Sequence, residues 1–223
     1  MLHDNRGGAG EKERYWNAFY AKGDGKIDPP SQFAAFVLQE ATHVGLIIEV
    51  GCGGGRDSFF FARHGMNVAA IDGAEAAIAS CQKAGTLAGL QNASFHCAAV
   101  GSPEFPRVVR SLRESGSTPT ALVYARFFLH ALTDEEEDAF FEGVAAALLP
   151  DDLVALEYRT VRDSSGLKST PTHYRRFIDP STVFAKASSH GLVVEYAVEG
   201  FGFAKYRQDD AYVARCILRK ICL

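Results

Sequence analysis

The sequence holds no apolar run near the ~18–20 residues a membrane helix needs, so no spanning segment is expected. Its opening, Met1-Leu2-His3-Asp4-Asn5-Arg6, is polar and lacks a signal-peptide core, so the expected location is cytoplasmic. Positive charge is not in excess: 23 Lys and Arg against 27 Asp and Glu leave a formal net charge of -4. The broad basic field of a nucleic-acid binder is therefore missing, and no nucleic-acid partner is expected. Cysteine is sparse. Cys52, Cys81, Cys97, Cys216 and Cys222 form an odd set with no C-x-x-C pair. That excludes zinc-ribbon spacing and a disulfide framework, and most of the five are expected to pack as small reduced hydrophobes. No constellation of ligand side chains suggests a metal, and there is no internal repeat or low-complexity linker.

What is present suits one α/β domain. The 223 residues are 47% apolar and 22% charged, enough for a core without a second unit. Residues 11–40 read as helical, broken at Pro29-Pro30. Leu46–Val50 is the first strand. A helix follows through Phe59–Ala62 and stops near Gly65. Val68–Ile71, Ala93–Ala98, Ala121–Ala125 and Leu153–Val161 are the next strands, with helices over 74–88 and 104–115. Thr133 with Glu136 three residues on is a capping box, and the acidic run Asp134–Asp138 suits the positive end of the helix that follows. Asp179-Pro180 starts another helix, ending at His190-Gly191. Leu192–Val198 and Ala211–Leu218 close the chain as an antiparallel hairpin. Strand and helix alternate, so the expected fold is a doubly wound, Rossmann-like sheet of about seven strands, mostly parallel.

The most informative stretch is Leu46-Ile47-Ile48-Glu49-Val50-Gly51-Cys52-Gly53-Gly54-Gly55-Arg56-Asp57. A buried strand enters a loop with glycines at 51, 53 and 55, where the backbone can take positive φ and a ligand can approach closely. The helix that follows aims free N–H groups over the loop. Asp72 ends the second strand, 21 residues after Gly51, where a carboxylate can accept from both hydroxyls of a ribose. Asp72 can also cap the helix after it. A nicotinamide site would show G-x-G-x-x-G, but Arg56 stands at the third glycine position and Asp57 disfavours a pyrophosphate. Glu49 can reach a ligand ammonium through water, or cap the loop backbone.

Glu49–Ser58 with Asp72 resembles motifs I and II of the class I S-adenosylmethionine (SAM)-dependent methyltransferases. The resemblance implies a SAM cofactor with S-adenosylhomocysteine (SAH) as product. It implies that Glu49, Gly51, Cys52, Gly53 and Gly55 hold the methionine part and that Asp72 and Gly73 hold the ribose. The adenine would lie near Ala99 and Val100, where this sequence lacks the frequent acid; Ser102 is a substitute. The family's frequent Pro-Gly-Gly is here Pro150-Asp151-Asp152. Tyr15-Trp16-Asn17-Ala18-Phe19-Tyr20 and Pro30-Ser31-Gln32-Phe33 are similar to small-molecule methyltransferases of bacterial capsule and lipopolysaccharide synthesis. That likeness implies an N-terminal helix over the cofactor, with Tyr15 and Tyr20 touching its carboxylate or sulfonium; both aromatics fit a core role as well.

In this fold the segment after strand four, Tyr124-Ala125-Arg126-Phe127-Phe128-Leu129-His130, lies beside the reactive methyl, so Ala125 and Arg126 are expected at the cofactor. No Asn/Asp-Pro-Pro-Tyr box is present, which argues against DNA adenine. An Arg after an apolar strand is costly without an anionic partner. Arg126, Arg159, His173, Tyr174, Arg175 and Arg176 are expected to gather around an anionic acceptor, with Lys168 and Arg207 nearby. Loop arginines are as readily solvated charges. His130 is the expected general base, His173 the reserve, and Arg126 a catalytic contact. Expected is one domain over 1–223, with a helical cap at 1–40 and an inserted loop at 162–178. It would transfer a methyl group to an O or N of a small, anionic metabolite or saccharide. The alternatives are an RNA or protein methyltransferase, or a non-catalytic SAM-binding protein.

Overall fold

Strand β1 (Leu46–Val50) is buried along its whole length, as a central strand covered on both faces must be. It pairs in parallel with β2 (Asn67–Asp72) on one side and β4 (Ala121–Arg126) on the other. β2 pairs with β3 (Ala93–Cys97), and β4 with β5 (Leu153–Arg159). The last strand, β9 (Val213–Lys220), enters between β5 and β6 (Leu192–Gly200) and runs antiparallel to both. The seven-stranded order is β3-β2-β1-β4-β5-β9-β6. A small ribbon of β7 (Lys205–Tyr206) and β8 (Asp209–Asp210) links β6 to β9. This is the expected doubly wound sheet with its closing antiparallel pair. The computed structural model describes residues 9–21, 29–116, 118–164, 174–206 and 208–222.

Alternation along the strands sends side chains to two layers. Ile48 and Val50 join a cluster with Phe105, Phe140, Phe141 and Val183, under α5 (Glu104–Ser115), α6 (Asp134–Ala147) and α7 (Pro180–Ser189). Ile47 faces the other way, toward Phe33, Val37 and Phe61, under α2 (Gln32–Glu40) and α3 (Arg56–Arg63). Each fully buried Phe contributes about 1.5–3 kcal/mol. Helices α1 (Ala9–Ala21) and α4 (Glu75–Leu87) pack together at the β3 side of the carboxyl edge.

The helix ends follow the local sequence. Thr133 and Glu136 form the expected capping box of α6. Asp179 caps α7, with Pro180 at its first position. Strand β5 stops two residues short of the expected Val161, because Thr160 caps a short 3-10 turn, Val161–Asp163. Most of the cysteines are packed inside, as expected: Cys52, Cys81 and Cys216 are buried, and Cys97 and Cys222 are exposed. Asp152, fully buried, accepts from Arg113 Nε and from the amides of Ala121 and Leu149, fixing the turn before β5.

Candidate functional site

The loop after β1 folds as its glycines require. Gly51, Gly53 and Gly55 have φ of +76°, +52° and +75°, which side-chain-bearing residues rarely adopt. The amides of Gly51 and Cys52 donate to the Ile71 carbonyl at 2.8 and 3.1 Å, tying the loop to β2. The Gly53 amide donates to Asp72 Oδ2 at 2.8 Å, and the Ala74 amide to Asp72 Oδ1 at 2.8 Å. Asp72 is not the N-cap of α4; Ala74 holds that place, and Asp72 closes the turn before it. Burial raises the Asp72 carboxyl, and backbone N–H donors offset part of that rise. The Gly73 amide is a third backbone donor to the carboxylate, which keeps acceptor capacity to spare.

Glu49 has a protein partner: the Ser58 hydroxyl donates to its Oε2. Burial and the neighbouring Asp57 push Glu49 well up, against the Ser58 hydrogen bond. Asp57 is turned inward, where Oδ1 accepts from the Ser31 amide at 2.8 Å. Its Oδ2 accepts from the Ser31 and Tyr124 hydroxyls at 2.7 and 2.8 Å.

Two aromatic side chains cover the loop. A Cβ on Gly51 would overlap the Phe128 ring, and one on Gly53 the Tyr20 hydroxyl. Tyr20 belongs to α1, which crosses the carboxyl edge of the sheet. Lys12 pairs with Glu136 at the start of α6 and sits 5.0 Å from the Tyr174 ring centre. Asn17 Oδ1 accepts from the Ala76 amide at 3.1 Å. Burial, then Asp72, raises the Tyr20 hydroxyl. Tyr15 packs edge-on against Trp16, with ring centres 5.0 Å apart. Across the strand end, Ala99 lies against Gly73 so closely that a Cβ there would meet it at 3.3 Å. Ala99 is exposed and Val100 buried. The Ser102 hydroxyl is buried with no hydrogen-bond partner among the described residues.

On the acceptor side the expected basic gathering is internally balanced. Ala125 is buried in β4. Arg126 Nε donates to Glu157 Oε1 at 2.7 Å, and Glu157 Oε2 accepts from Arg215 Nε at 2.7 Å. Arg159 is buried between Asp163 and Asp209, at 2.5 and 2.6 Å. Arg176 pairs with Asp134 and Glu137. The anionic partners that sequence reasoning assigned to a ligand are thus carboxylates of the chain. Arg175 is lowered by burial and by the neighbouring Arg159. Phe127 adopts φ +52° with the Arg126 guanidinium 4.2 Å and the Arg159 guanidinium 5.3 Å from its ring centre. His130 is buried, its ring 5.3 Å from that of Phe127, and its carbonyl accepts from the Arg176 amide at 2.8 Å. His173, Lys168 and Arg207 lie outside the described residues. Phe128 and Glu157 were missed; an acid inside the apolar run Leu153–Tyr158 was a usable signal for the second.

A family profile described as a methyltransferase domain matches residues 47–151, from β1 to the turn before β5. That match spans 105 of the 223 residues, and the fold around it is that of the class I methyltransferases. The methyltransferase fold recurs in a SAM-dependent methyltransferase from Anabaena variabilis, 15% identical, with 93% of each chain covered and a TM-score of 0.69. It recurs in a 1,6-didemethyltoxoflavin-N1-methyltransferase from Burkholderia thailandensis, solved with that substrate and SAH. That protein is 15% identical, with 95% of this chain and 87% of that one covered and a TM-score of 0.64. A [4+2]-cyclase, SpnF, is similar too: 13% identity, 96% of each chain, TM-score 0.71. At these identities the likeness is one of fold, and the cyclase shows that the fold leaves the reaction open. None of the three is described as a capsule or lipopolysaccharide enzyme. No curated protein matches this sequence.

Proposed function

We propose that this methyltransferase is a single domain that binds SAM on the loop Gly51–Gly55 and grips its ribose with Asp72, with α1 and α2 as a helical cap. Residues 1–8 and 22–28 of the cap expected at 1–40, and residues 165–173 of the insert expected at 162–178, lie outside the described residues. The observation that carries the reading is the Gly53 amide bonded to Asp72. That contact sets loop amides beside a buried carboxylate with acceptor capacity to spare. The residues fit the cofactor. Three left-handed glycines keep the loop free of side chains of its own, so that Phe128 and Tyr20 can close against it, and the buried Ser102 hydroxyl has no partner among the described residues. Glu49 acts from beneath, held by Ser58. Tyr20 and Tyr15 face the cofactor from α1.

When bound, SAM supplies an electrophilic methyl group on a good leaving group. The chain's part is alignment and exclusion of water. The turn Arg126–His130 sits at the carboxyl end of β4, where an open α/β sheet binds its ligands. His130 is the side chain there whose ordinary pKa suits removal of a proton from an attacking hydroxyl or amine. The acceptor is a small molecule, methylated on oxygen or, second, nitrogen. The carboxylates on Arg126, Arg159 and Arg176 remove the need for an anionic group on it, so a compact uncharged acceptor fits as well as an acid.

Titration with SAH tests the reading. Wild-type protein should bind, and Asp72→Ala should weaken binding by about 10-fold or more, the worth of hydrogen bonds to a charged group. A wild type without measurable affinity would end the proposal.

A further inference from the structure

Two thiols meet under the glycine loop. Cys52 lies in that loop and Cys81 in α4, and both belong to one apolar cluster with Phe59, Ala70, Ile78 and Phe95. Both S–H groups aim at one acceptor, the Gly53 carbonyl, at 3.9 Å from Cys52 and 3.3 Å from Cys81. The Cys52 thiol is also within hydrogen-bonding reach of Cys81; that contact and burial push it well up. The sulfur of Cys81 lies 2.9 Å from where a Cβ on Gly55 would be, beside the Phe59 ring at 2.7 Å. The pair therefore touches the loop at two of its glycines, and neither thiol has a part in methyl transfer.

We propose that Cys52 and Cys81 form a reversible disulfide that switches off cofactor binding; the second half rests on the cofactor reading above. Closing the sulfurs to the ~2.05 Å of a disulfide draws the loop toward α4. Both thiol donors to the Gly53 carbonyl are lost. Gly53 must then shift, and its amide bond to Asp72 with it.

The oxidant is hydrogen peroxide. The Cys52 sulfur attacks a peroxide oxygen, the O–O bond breaks, and a sulfenic acid and one water form. The Cys81 sulfur attacks the sulfenic sulfur, and the leaving hydroxyl takes the Cys81 proton as a second water. Two thiols lose two electrons and the peroxide gains them. Attack is slow, because both thiols are buried. A dithiol reverses the step by exchange.

The test uses reduced full-length protein, hydrogen peroxide as the probe, peptide mapping and SAH titration. Expected are a Cys52–Cys81 cross-linked peptide, lighter by two hydrogens, and a loss of SAH affinity of about tenfold or more. Dithiothreitol should restore both. Cys81→Ala should bind SAH after peroxide as before it, with Cys81→Ser as the second variant if Ala folds poorly. Cys97→Ser should stay sensitive, which separates the pair from the exposed thiol. Absence of the cross-linked peptide overturns the proposal, as does unchanged affinity in cross-linked protein. So does peroxide sensitivity that survives in Cys81→Ala. Reduced wild type that fails to bind SAH would instead sink the cofactor reading, while the peptide map still reports on the pair.

Discussion

Arg126 and Glu157 face each other across β4 and β5, and the Nε of Arg126 donates to Oε1 of Glu157 at 2.7 Å. The other oxygen of Glu157 holds Arg215 of β9 at the same distance, so one buried carboxylate joins three strands. Its own backbone carbonyl accepts the Phe127 amide at 2.8 Å, which fixes the turn that leads to His130.

Removing that carboxylate strands two cations in a nearly dry place. Glu157→Ala should therefore lower unfolding free energy by about 3–5 kcal/mol, measured by urea denaturation. Arg126→Ala should cost less, because Arg215 remains with Glu157, and should leave SAH affinity nearly intact. A Glu157→Ala protein within 1 kcal/mol of wild type, on the order expected of an exposed pair, would show that the triad is not structural.

Glu49 gives a pH dependence with a definite sign. Burial, then Asp57, raises its carboxyl above the ordinary range. An unfolded chain releases that proton near the reference value of about 4.3. Between that value and the folded one, the native state holds more protons than the unfolded state, so stability falls as pH rises. Glu49→Gln keeps the proximity to Ser58 but not the titration. Its stability relative to wild type should grow from pH 4 to pH 8 in thermal melts. A difference that is flat or shrinks with pH would mean Glu49 is ionised at little cost.

The loop itself was legible in the sequence because its signals are local. An apolar run, three spaced glycines and an acid at the end of the next strand follow from chain order alone. The caps at Thr133 and Asp179 were legible for the same reason. The pairing of Arg126, Arg159 and Arg176 was not. Glu157, Asp209 and Glu137 are distant in sequence from the arginines they neutralise, so tertiary packing decides who meets whom; only Asp163, four residues after Arg159, is a local partner. Nor does any pattern near Gly51 announce that Phe128 will cover it, since that depends on the left-handed turn at Phe127.

Tyr158 presents a buried hydroxyl. It is fully buried and has no hydrogen-bond partner among the described residues, and burial raises it far above its ordinary value. A buried unsatisfied donor costs about 1–3 kcal/mol. Tyr158→Phe should thus be neutral or stabilising, by on the order of 1 kcal/mol. A clear loss of stability in the same denaturation assay would mean the hydroxyl is bonded.

Gly53 and Tyr20 should behave as a coupled pair. Gly53→Ala meets two separate penalties. One is the left-handed backbone at φ +52°, worth about 1–2 kcal/mol for a residue with a Cβ. The other is overlap of that Cβ with the Tyr20 hydroxyl, which the Tyr20 side chain must relieve by swinging off the loop. Tyr20→Ala removes the second penalty and leaves the first. Gly53→Ala should therefore cost less in the Tyr20→Ala background than in wild type, with a coupling energy of about 0.5 kcal/mol or more. Strict additivity in that double-mutant cycle would place Tyr20 away from the loop in solution, and with it the helix that covers the cofactor cradle.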